Sequence, residues 1–339
     1  MALLLLIATT NMKPKYQKLQ IDPEYYYRNF LHPKYWITWA GIFLLYLISW
    51  LPYSAKQGLG TALGILMYKQ GGSRLQITRT NINACFPELS DEQKEEIIKQ
   101  SFIANMKGLV ETTIAWWCDH QPIIDKLEVH GYEYLKEAEN RGKGVLLVGG
   151  HFSIMDLAGP LVNSVFNFSY MYRPNNNPLF DAVIERSRTR YSHKKFNKFQ
   201  IPEMNDFIKK GNTVWYGFDQ DFGKRRSVFA PFFGIQTATL KMAASLARST
   251  QASVVMVSQL REGNGVYSIR FSPIFENLAE DDDITAATRL NKQLEEFIRI
   301  HPEQYLWMHR RFRSRPEGEE PFYPKRKRKK KKNSKKTES

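Results

Sequence analysis

The chain has 339 residues, of which 42% are apolar and 13% aromatic, so its composition excludes a disordered protein and provides for a sizeable core. Its formal net charge is +15, but residues 325–336 carry ten positive charges and no negative ones, which leaves +5 for the rest. The two cysteines, Cys85 and Cys118, form neither a metal-ligand spacing nor a disulfide framework. This predicts a reducing, cytosol-facing domain.

The basic segment near the carboxyl terminus predicts a disordered tail, because a block of like charges repels itself. Such a run suits anionic lipid, an acidic protein or nucleic acid. No RNP, zinc-finger or helix-turn-helix signature accompanies it, so we expect no nucleic-acid partner. A solvated tail without any specific partner is the alternative.

The first predicted element is an apolar helix. Residues 35–51 contain no charged side chain and carry Trp or Tyr near both ends, which is typical of a membrane-spanning helix near the lower length limit. A buried core helix is the alternative. The opening MALLLLIATT lacks a basic region and does not predict a cleaved signal peptide.

Further along, a helix capped by Ser90 precedes alternating strands and helices. The predicted strands are 144–148, 168–172, 213–218 and a hairpin of 253–260 with 266–272; the predicted helices are 152–163, 178–190, 237–249 and 283–300. This alternation predicts an α/β fold with a mixed, partly parallel sheet flanked by helices.

The stretch VLLVGGHFSIMDLAG (145–159) places His151 just beyond the first strand of this series, where sites of α/β sheets lie. Two residues five apart on a regular helix are rotated by roughly 140°, so His151 can meet Asp156 only from the loop before the helix. There, Asp156 would accept the Nδ1 proton and leave Nε2 as a general base. A structural histidine is the competing interpretation.

The stretch around His151 and three further stretches decide between these interpretations. They are GVLLVGGHF, MYRPNNNPLFD (171–181), VWYGFDQDFGKRRSVFAPFFGIQTAT (214–239) and EQYLWMHRRFRSRPEG (303–318). In this order they resemble the late acyltransferases of lipid A synthesis, and the resemblance runs from about Leu31 to about Gly318. The family's catalytic box, H-x-x-x-x-D or H-x-x-x-x-E, matches His151 and Asp156.

The resemblance implies an acyltransferase fold with an N-terminal hydrophobic helix, held in the bacterial inner membrane with its catalytic domain on the cytoplasmic side. The implied reaction moves an acyl chain from acyl carrier protein to a hydroxyl of a 3-hydroxyacyl chain on a Kdo-bearing, tetra- or penta-acylated lipid A precursor. No cofactor and no metal are expected. Anionic inner-membrane lipid is a further expected partner, attracted by the basic tail.

The phosphates and Kdo carboxylates of such an acceptor suit arginine, whose planar fork binds them bidentately. The predicted substrate-binding residues are Arg173, Arg226, Arg310, Arg311 and Asn177. Asn177 is alternatively a helix cap. The amides of Gly150, Phe152 and Ser153 are candidates for an oxyanion hole. Asp219 and Asp221 are expected to orient arginines rather than bind metal.

The predicted organisation is an N-terminal segment (1–34), a membrane helix (35–56), an acyltransferase domain (57–318) and a disordered polybasic tail (319–339). Two alternatives remain open. One is an acyltransferase of the same fold acting on glycerol phosphate, lysophospholipid or a mannoside glycolipid. The other is a membrane-anchored binding protein in which the His-Asp pair is structural.

Overall fold

The computed structural model describes residues 22–192 and 194–324. The opening MALLLLIATT and the basic run at 325–336 lie outside the described residues. Packing against the core continues to the end of the described chain, because Tyr323 is buried and its hydroxyl donates to Asn81 Oδ1 at 2.6 Å.

The amino-terminal part is helical. Three short 3₁₀ turns between residues 23 and 35 lead into α1 (Trp36–Ser49), α2 (Tyr53–Gln70), α3 (Ser73–Cys85), α4 (Asp91–Trp117) and the single turn α5 (Gln121–Ile124). The 27-residue helix α4 begins with a capping box, in which Ser90 accepts from the amide of Gln93 and Gln93 from that of Ser90. The predicted cap is therefore confirmed.

The remaining chain alternates strands with helices. Its elements are β1 (Glu128–His130), α6 (Tyr132–Asn140), β2 (Val145–Gly149), α7 (Met155–Val165), β3 (Ser169–Met171), α8 (Pro178–Arg188), β4 (Lys195–Phe196), α9 (Ile201–Lys209), β5 (Thr213–Gly217), β6 (Ser227–Phe232), β7 (Ile235–Leu240), α10 (Met242–Thr250), β8 (Ser253–Gly263), β9 (Val266–Phe271) and α11 (Asp283–Ile300).

Seven strands form one sheet in the order β1-β9-β8-β2-β5-β3-β4, and β6 pairs with β7 in a separate hairpin. Every neighbouring pair in the seven-stranded sheet is parallel except β8 with β9. The prediction of a mixed, partly parallel sheet flanked by helices is confirmed, and the sheet is mainly parallel. Such a sheet brings the loops that follow β2, β3 and β5 to one edge.

Two apolar clusters cover the two faces of the sheet. Alternate side chains of β2 divide between them, with Leu146 and Val148 in one cluster and Val145 and Leu147 in the other. The first cluster includes residues of α3, α9, α10 and α11, and the second includes residues of α6, α7, α8 and the end of α4. The strands that hold the site are therefore buried on both faces, as is usual for parallel sheets.

The predicted membrane helix at 35–56 is wrong. The apolar segment forms α1, which has 14 residues, and Pro52 separates it from α2. At about 1.5 Å per residue α1 is roughly 21 Å long, whereas the hydrocarbon core of a bilayer is about 30 Å thick. None of the helices within the described ranges is both long and apolar enough to cross a membrane. This finding also overturns the predicted location in the bacterial inner membrane.

One predicted helix begins too early. Residues 237–240 belong to strand β7, and α10 begins only at Met242. The hairpin with β6 turns at Phe233 and Gly234, both of which have positive φ (49° and 73°). β-Branched Thr237 and Thr239 are buried in β7, where such residues pack well. By contrast, the hairpin of β8 and β9 and the helix at 283–300 are confirmed.

Candidate active site

A large cleft opens at the edge of the sheet where β2, β3 and β5 end. Its volume is about 1240 Å³, and it includes His151, Asp156 and Arg173 among its walls. Pockets that bind small molecules usually measure about 300–1,000 Å³, so this cleft has room for a larger ligand. The structure thus brings three of the predicted site residues to one cavity.

The partner of His151 is Asp219, not the predicted Asp156. The Nδ1 atom of His151 lies 2.5 Å from Asp219 Oδ1, and the backbone N–H of His151 donates to Asp219 Oδ2 at 2.9 Å. The hydroxyl of Tyr305 also donates to Oδ2, at 2.9 Å. A carboxylate that accepts from Nδ1 fixes the imidazole tautomer and leaves Nε2 available to the cleft.

The register of the sheet explains why these two side chains meet. Strands β2 and β5 are parallel neighbours, with Gly149 opposite Gly217. His151 and Asp219 each follow the paired glycine by two residues, so both leave the sheet at the same level. This was the signal in the sequence that could have identified Asp219, once the two strands were placed side by side.

The glycines of this region are required for close approach. A Cβ at Gly149 would lie 2.9 Å from the indole nitrogen of Trp215, and one at Gly217 would lie 3.0 Å from the Trp215 ring and from His151 Cε1. A Cβ at Gly150 would meet Leu294 at 2.7 Å. The glycines at 149 and 217 therefore let Trp215 and His151 lie against the sheet.

Charge and burial set the pKa values of the pair. Burial by itself lowers the pKa of His151, but the negative charge of Asp219 and the hydrogen bond to it outweigh burial and raise that pKa above its ordinary value. Burial also opposes ionisation of Asp219, yet the charge and hydrogen bonds of His151, and more distantly Arg311, hold its pKa well below the usual range. Asp219 is therefore ionised at neutral pH.

Asp156 occupies the first turn of α7 and forms an ion pair with Arg188, whose Nη2 lies 3.0 Å from Asp156 Oδ1. The guanidinium of Arg188 also lies over two aromatic rings, 5.3 Å from that of Tyr170 and 4.9 Å from that of Tyr172. All four side chains line the cleft. Sequence reasoning missed Arg188 because it lies at the end of α8, without a motif of its own.

The predicted arginines separate into two groups. Arg173 and Arg226 both line the cleft: Arg173 lies in the loop after β3, and Arg226 ends the 3₁₀ turn directly before β6. Arg311 is 1% exposed, donates to Ala238 O and Thr239 Oγ1, and does not line the cleft. Arg310 is half-buried beside the ring of Tyr323 and is not part of the cleft wall.

Two other groups predicted to contact substrate form hydrogen bonds within the protein instead. Asn177 caps α8, because its Oδ1 accepts from the amides of Leu179 and Phe180, and its Nδ2 donates to Thr38 of α1. The amide of Ser153 donates to Gln304 O at 2.8 Å and is therefore not free for an oxyanion. The oxyanion roles of Gly150 and Phe152 stay predictions.

Asp221 does not line the cleft but forms hydrogen bonds beside it. Its carboxylate accepts from the amides of Gly223 and Ser314 and lies 3.4 Å from Arg313 Nη2. The expectation that this acid orients an arginine fits these contacts. Asp221 thereby ties the loop after β5, which holds Asp219, to the carboxyl-terminal segment that holds Tyr305.

Comparison with known proteins identifies the family of this chain. Residues 26–314 match the family model described as bacterial lipid A biosynthesis acyltransferase. The chain is 36% identical over 298 residues to the lipid A biosynthesis palmitoleoyltransferase of Escherichia coli (strain K12), covering 87% of this chain and 97% of that protein.

Two further relatives come from the same organism. The chain is 37% identical over 291 residues to the lipid A biosynthesis lauroyltransferase, covering 85% of this chain and 95% of the relative. It is 27% identical over 311 residues to the lipid A biosynthesis myristoyltransferase, covering 91% and 96%. With a family model matched over most of its length and a histidine–aspartate pair in a large cleft, this chain belongs to the bacterial lipid A biosynthesis acyltransferases.

Proposed function

We propose that this protein transfers a fatty acyl chain from acyl carrier protein to a hydroxyl of a 3-hydroxyacyl chain on a Kdo-bearing, tetra- or penta-acylated lipid A precursor. The observation that carries the proposal is the His151–Asp219 pair, whose histidine lines a cleft of about 1240 Å³, in a chain of the lipid A acyltransferase family. The relatives' names supply the class of acceptor.

In the proposed mechanism, Nε2 of His151 removes the proton of the acceptor hydroxyl as its oxygen attacks the thioester carbonyl. Asp219 stabilises the imidazolium that forms, because its carboxylate is ionised and bonded to Nδ1. When the tetrahedral intermediate collapses, the carbon–sulfur bond breaks and the imidazolium returns the proton to the thiolate. The ester and the free thiol of the carrier leave with no net change in His151.

Asp156, the acid of the family's catalytic box, acts in this proposal through Arg188. The ion pair of Arg188 Nη2 with Asp156 Oδ1, at 3.0 Å, fixes the guanidinium in the cleft wall. A cation fixed close to the reacting groups favours negative charge on substrate oxygens. The carboxylate is therefore assigned to positioning Arg188 rather than His151.

The acceptor's anionic groups would meet the cations of the cleft mouth. Arg173 and Arg226 are part of the cleft wall, and Lys198 joins them from the loop before α9. Arginine binds phosphate and carboxylate bidentately, which suits an acceptor that carries both. The acidic carrier would be attracted by the same cations and by the basic run at 325–336, whose charges also suit anionic lipid.

The proposal is tested by incubating purified protein with lauroyl-, myristoyl- and palmitoleoyl-carrier protein and the tetra-acylated Kdo-lipid A precursor, followed by mass spectrometry. We expect one acyl mass to be added by the wild type and lost in His151→Ala. The control is His130→Ala, because His130 is exposed on β1 and lies outside the cleft. No transfer from any donor, or full transfer by His151→Ala, would refute the proposal.

A further inference from the structure

The loop that joins β2 to α7, residues 150–154, packs against the backbone of helix α4. Gly108 of α4 is buried, and a Cβ at this position would lie 1.8 Å from the carbonyl oxygen of Ser153 and 2.7 Å from its carbonyl carbon. Both distances are far below a van der Waals contact. The carbonyl group of Ser153 therefore occupies the space that any residue other than glycine would need, only two residues after His151.

A second segment of the chain bonds the backbone of the same loop. Residues 304–306, here called the clamp, pair with residues 151–153 in an isolated antiparallel bridge. The bonds on either side of the bridge are Ser153 N–H to Gln304 O at 2.8 Å and Leu306 N–H to His151 O at 3.0 Å. The position of the clamp therefore determines the position of the main chain of His151.

The clamp and helix α4 are both attached to one residue of β8. The side chain of Gln304 is buried, accepts from the backbone N–H of Arg261 at 2.9 Å and donates to the backbone carbonyl of Arg261 at 2.8 Å. Glu111, three residues after Gly108 on α4, accepts from Arg261 Nε at 2.7 Å. The two supports of the loop are thus joined to each other, and neither can shift freely.

We propose that Gly108 and Gln304 are positioning residues for acyl transfer, which together hold the loop of residues 150–154 where Nε2 of His151 reaches the acceptor hydroxyl. The inference rests on the proposed function, in which His151 is the general base. Neither Gly108 nor Gln304 lines the cleft, so both act through the loop and not on substrate. A displacement of about 1 Å caused by a distant substitution can lower a rate by about 10²-fold, so a small shift of this loop should be visible in kcat.

Gly108→Ala tests the contact with α4 by adding one methyl group. The loop must withdraw by more than about 1 Å to restore an ordinary contact with Ser153. We expect kcat to fall about 10²-fold, while KM for donor and acceptor stays within twofold, because the substrate-binding walls are unchanged. The matched control is Gly58→Ala on α2, where a Cβ would meet no atom of the described chain within 4 Å. Both kinetic constants of this control should stay within twofold of the wild type.

Gln304→Leu tests the clamp, because it removes both bonds to the backbone of Arg261 at similar side-chain volume. We expect kcat to fall at least tenfold with KM within twofold. In the double variant with Gly108→Ala, the loss in kcat should be far smaller than the product of the two single losses, since both changes displace the same loop. Losses that multiply would mean that the two residues act independently, which would overturn the inference.

The remaining outcomes separate this inference from the function on which it rests. Absence of transfer by the wild type with every donor would refute the proposed function. Transfer by the wild type with equal kcat in Gly108→Ala and Gly58→Ala, or a change in KM larger than that in kcat, would overturn the positioning role alone. Thermal melts show whether each variant is folded. If Gly108→Ala is not, Gln304→Leu decides: a loss in kcat alone supports the inference, and unchanged kcat overturns it.

Discussion

His151 is held by groups from two distant segments of the chain. Asp219 binds both its Nδ1 and its backbone N–H, and the amide of Leu306 donates to its carbonyl oxygen at 3.0 Å. Because the backbone and the ring are fixed together, Nε2 has a defined direction into the cleft. The acid five residues further on, Asp156, is instead engaged by Arg188.

The two acids should therefore differ in the pH dependence of the reaction. In the proposed mechanism His151 is a general base and acts when neutral, so kcat/KM should rise with pH through the pKa of His151, which Asp219 raises. Asp219→Asn removes the charge that raises this pKa, while burial still lowers it, so the rise of kcat/KM should occur at lower pH. At high pH, where kcat/KM is constant, its value should be about 10²–10⁴-fold lower than in the wild type. In Asp156→Asn, kcat/KM should rise at the same pH as in the wild type, even where kcat itself is lower. The same pH dependence in both variants would contradict this assignment.

Tyr305 is a second residue whose contribution can be measured. Its hydroxyl is buried and donates to Asp219 Oδ2 at 2.9 Å. Hydrogen bonds to a charged group typically contribute about 1.5–3 kcal/mol, so Tyr305→Phe should lower the free energy of unfolding by about that amount in urea titration. It should also raise the pKa of Asp219. Tyr46→Phe, at a site that is 39% exposed, serves as the control and should change stability little.

At the scale of elements, local sequence patterns predicted the caps, turns and helices that depend only on residues close together in the chain. The Ser90 cap, the β8–β9 hairpin turning at Gly263 and Gly265, and the helix at 283–300 follow from such patterns and are confirmed. The β6–β7 hairpin was missed because its turn uses Phe233 at positive φ, which is unusual for a bulky residue.

The sequence did not predict which strands are neighbours in the sheet. The distance from His151 to Asp219 depends on β2 lying beside β5, and strand order is not encoded in local periodicity. The H-x-x-x-x-D spacing joins His151 and Asp156, which both line the cleft. It suggested the wrong partner for the imidazole, because spacing alone cannot reveal a third residue that is closer in space.

A buried ion pair joins the amino-terminal helices to the sheet. Glu111 of α4 is fully buried and accepts from Arg261 Nε of β8 at 2.7 Å and from the Tyr267 hydroxyl of β9 at 2.7 Å. Gln57 of α2 donates to the same carboxylate at 2.6 Å. One side chain thus connects two helices with two strands.

Removing only one member of this pair should be strongly destabilising. Glu111→Leu leaves the Arg261 charge buried without its partner, and we expect a loss of about 3–5 kcal/mol in the free energy of unfolding. The double variant Glu111→Leu with Arg261→Met removes both charges and should recover much of that loss. If the double variant is as unstable as the sum of the two single variants, the ion pair is not the source of the effect.

At the scale of the whole molecule, two groups of positive charge are relevant to an acidic carrier. One is the cleft mouth, with Arg173, Lys198 and Arg226, and the other is the run at 325–336, which supplies ten positive charges. Both would attract an acidic carrier during encounter, and the first is part of the cleft wall. Charge far from the reaction should act on association and not on the chemical step.

Salt and truncation distinguish these two contributions. The Debye length falls from about 30 Å at 0.01 M to about 10 Å at 0.1 M ionic strength, so KM for the acyl carrier protein should rise with salt. Deleting residues 325–339 should raise KM at low salt and flatten that dependence, while kcat stays unchanged. An uncharged acyl thioester of the same chain length is the matched control. Its KM should depend neither on the salt concentration nor on the presence of residues 325–339. A truncated protein with the full salt dependence would assign the attraction to the cleft mouth alone.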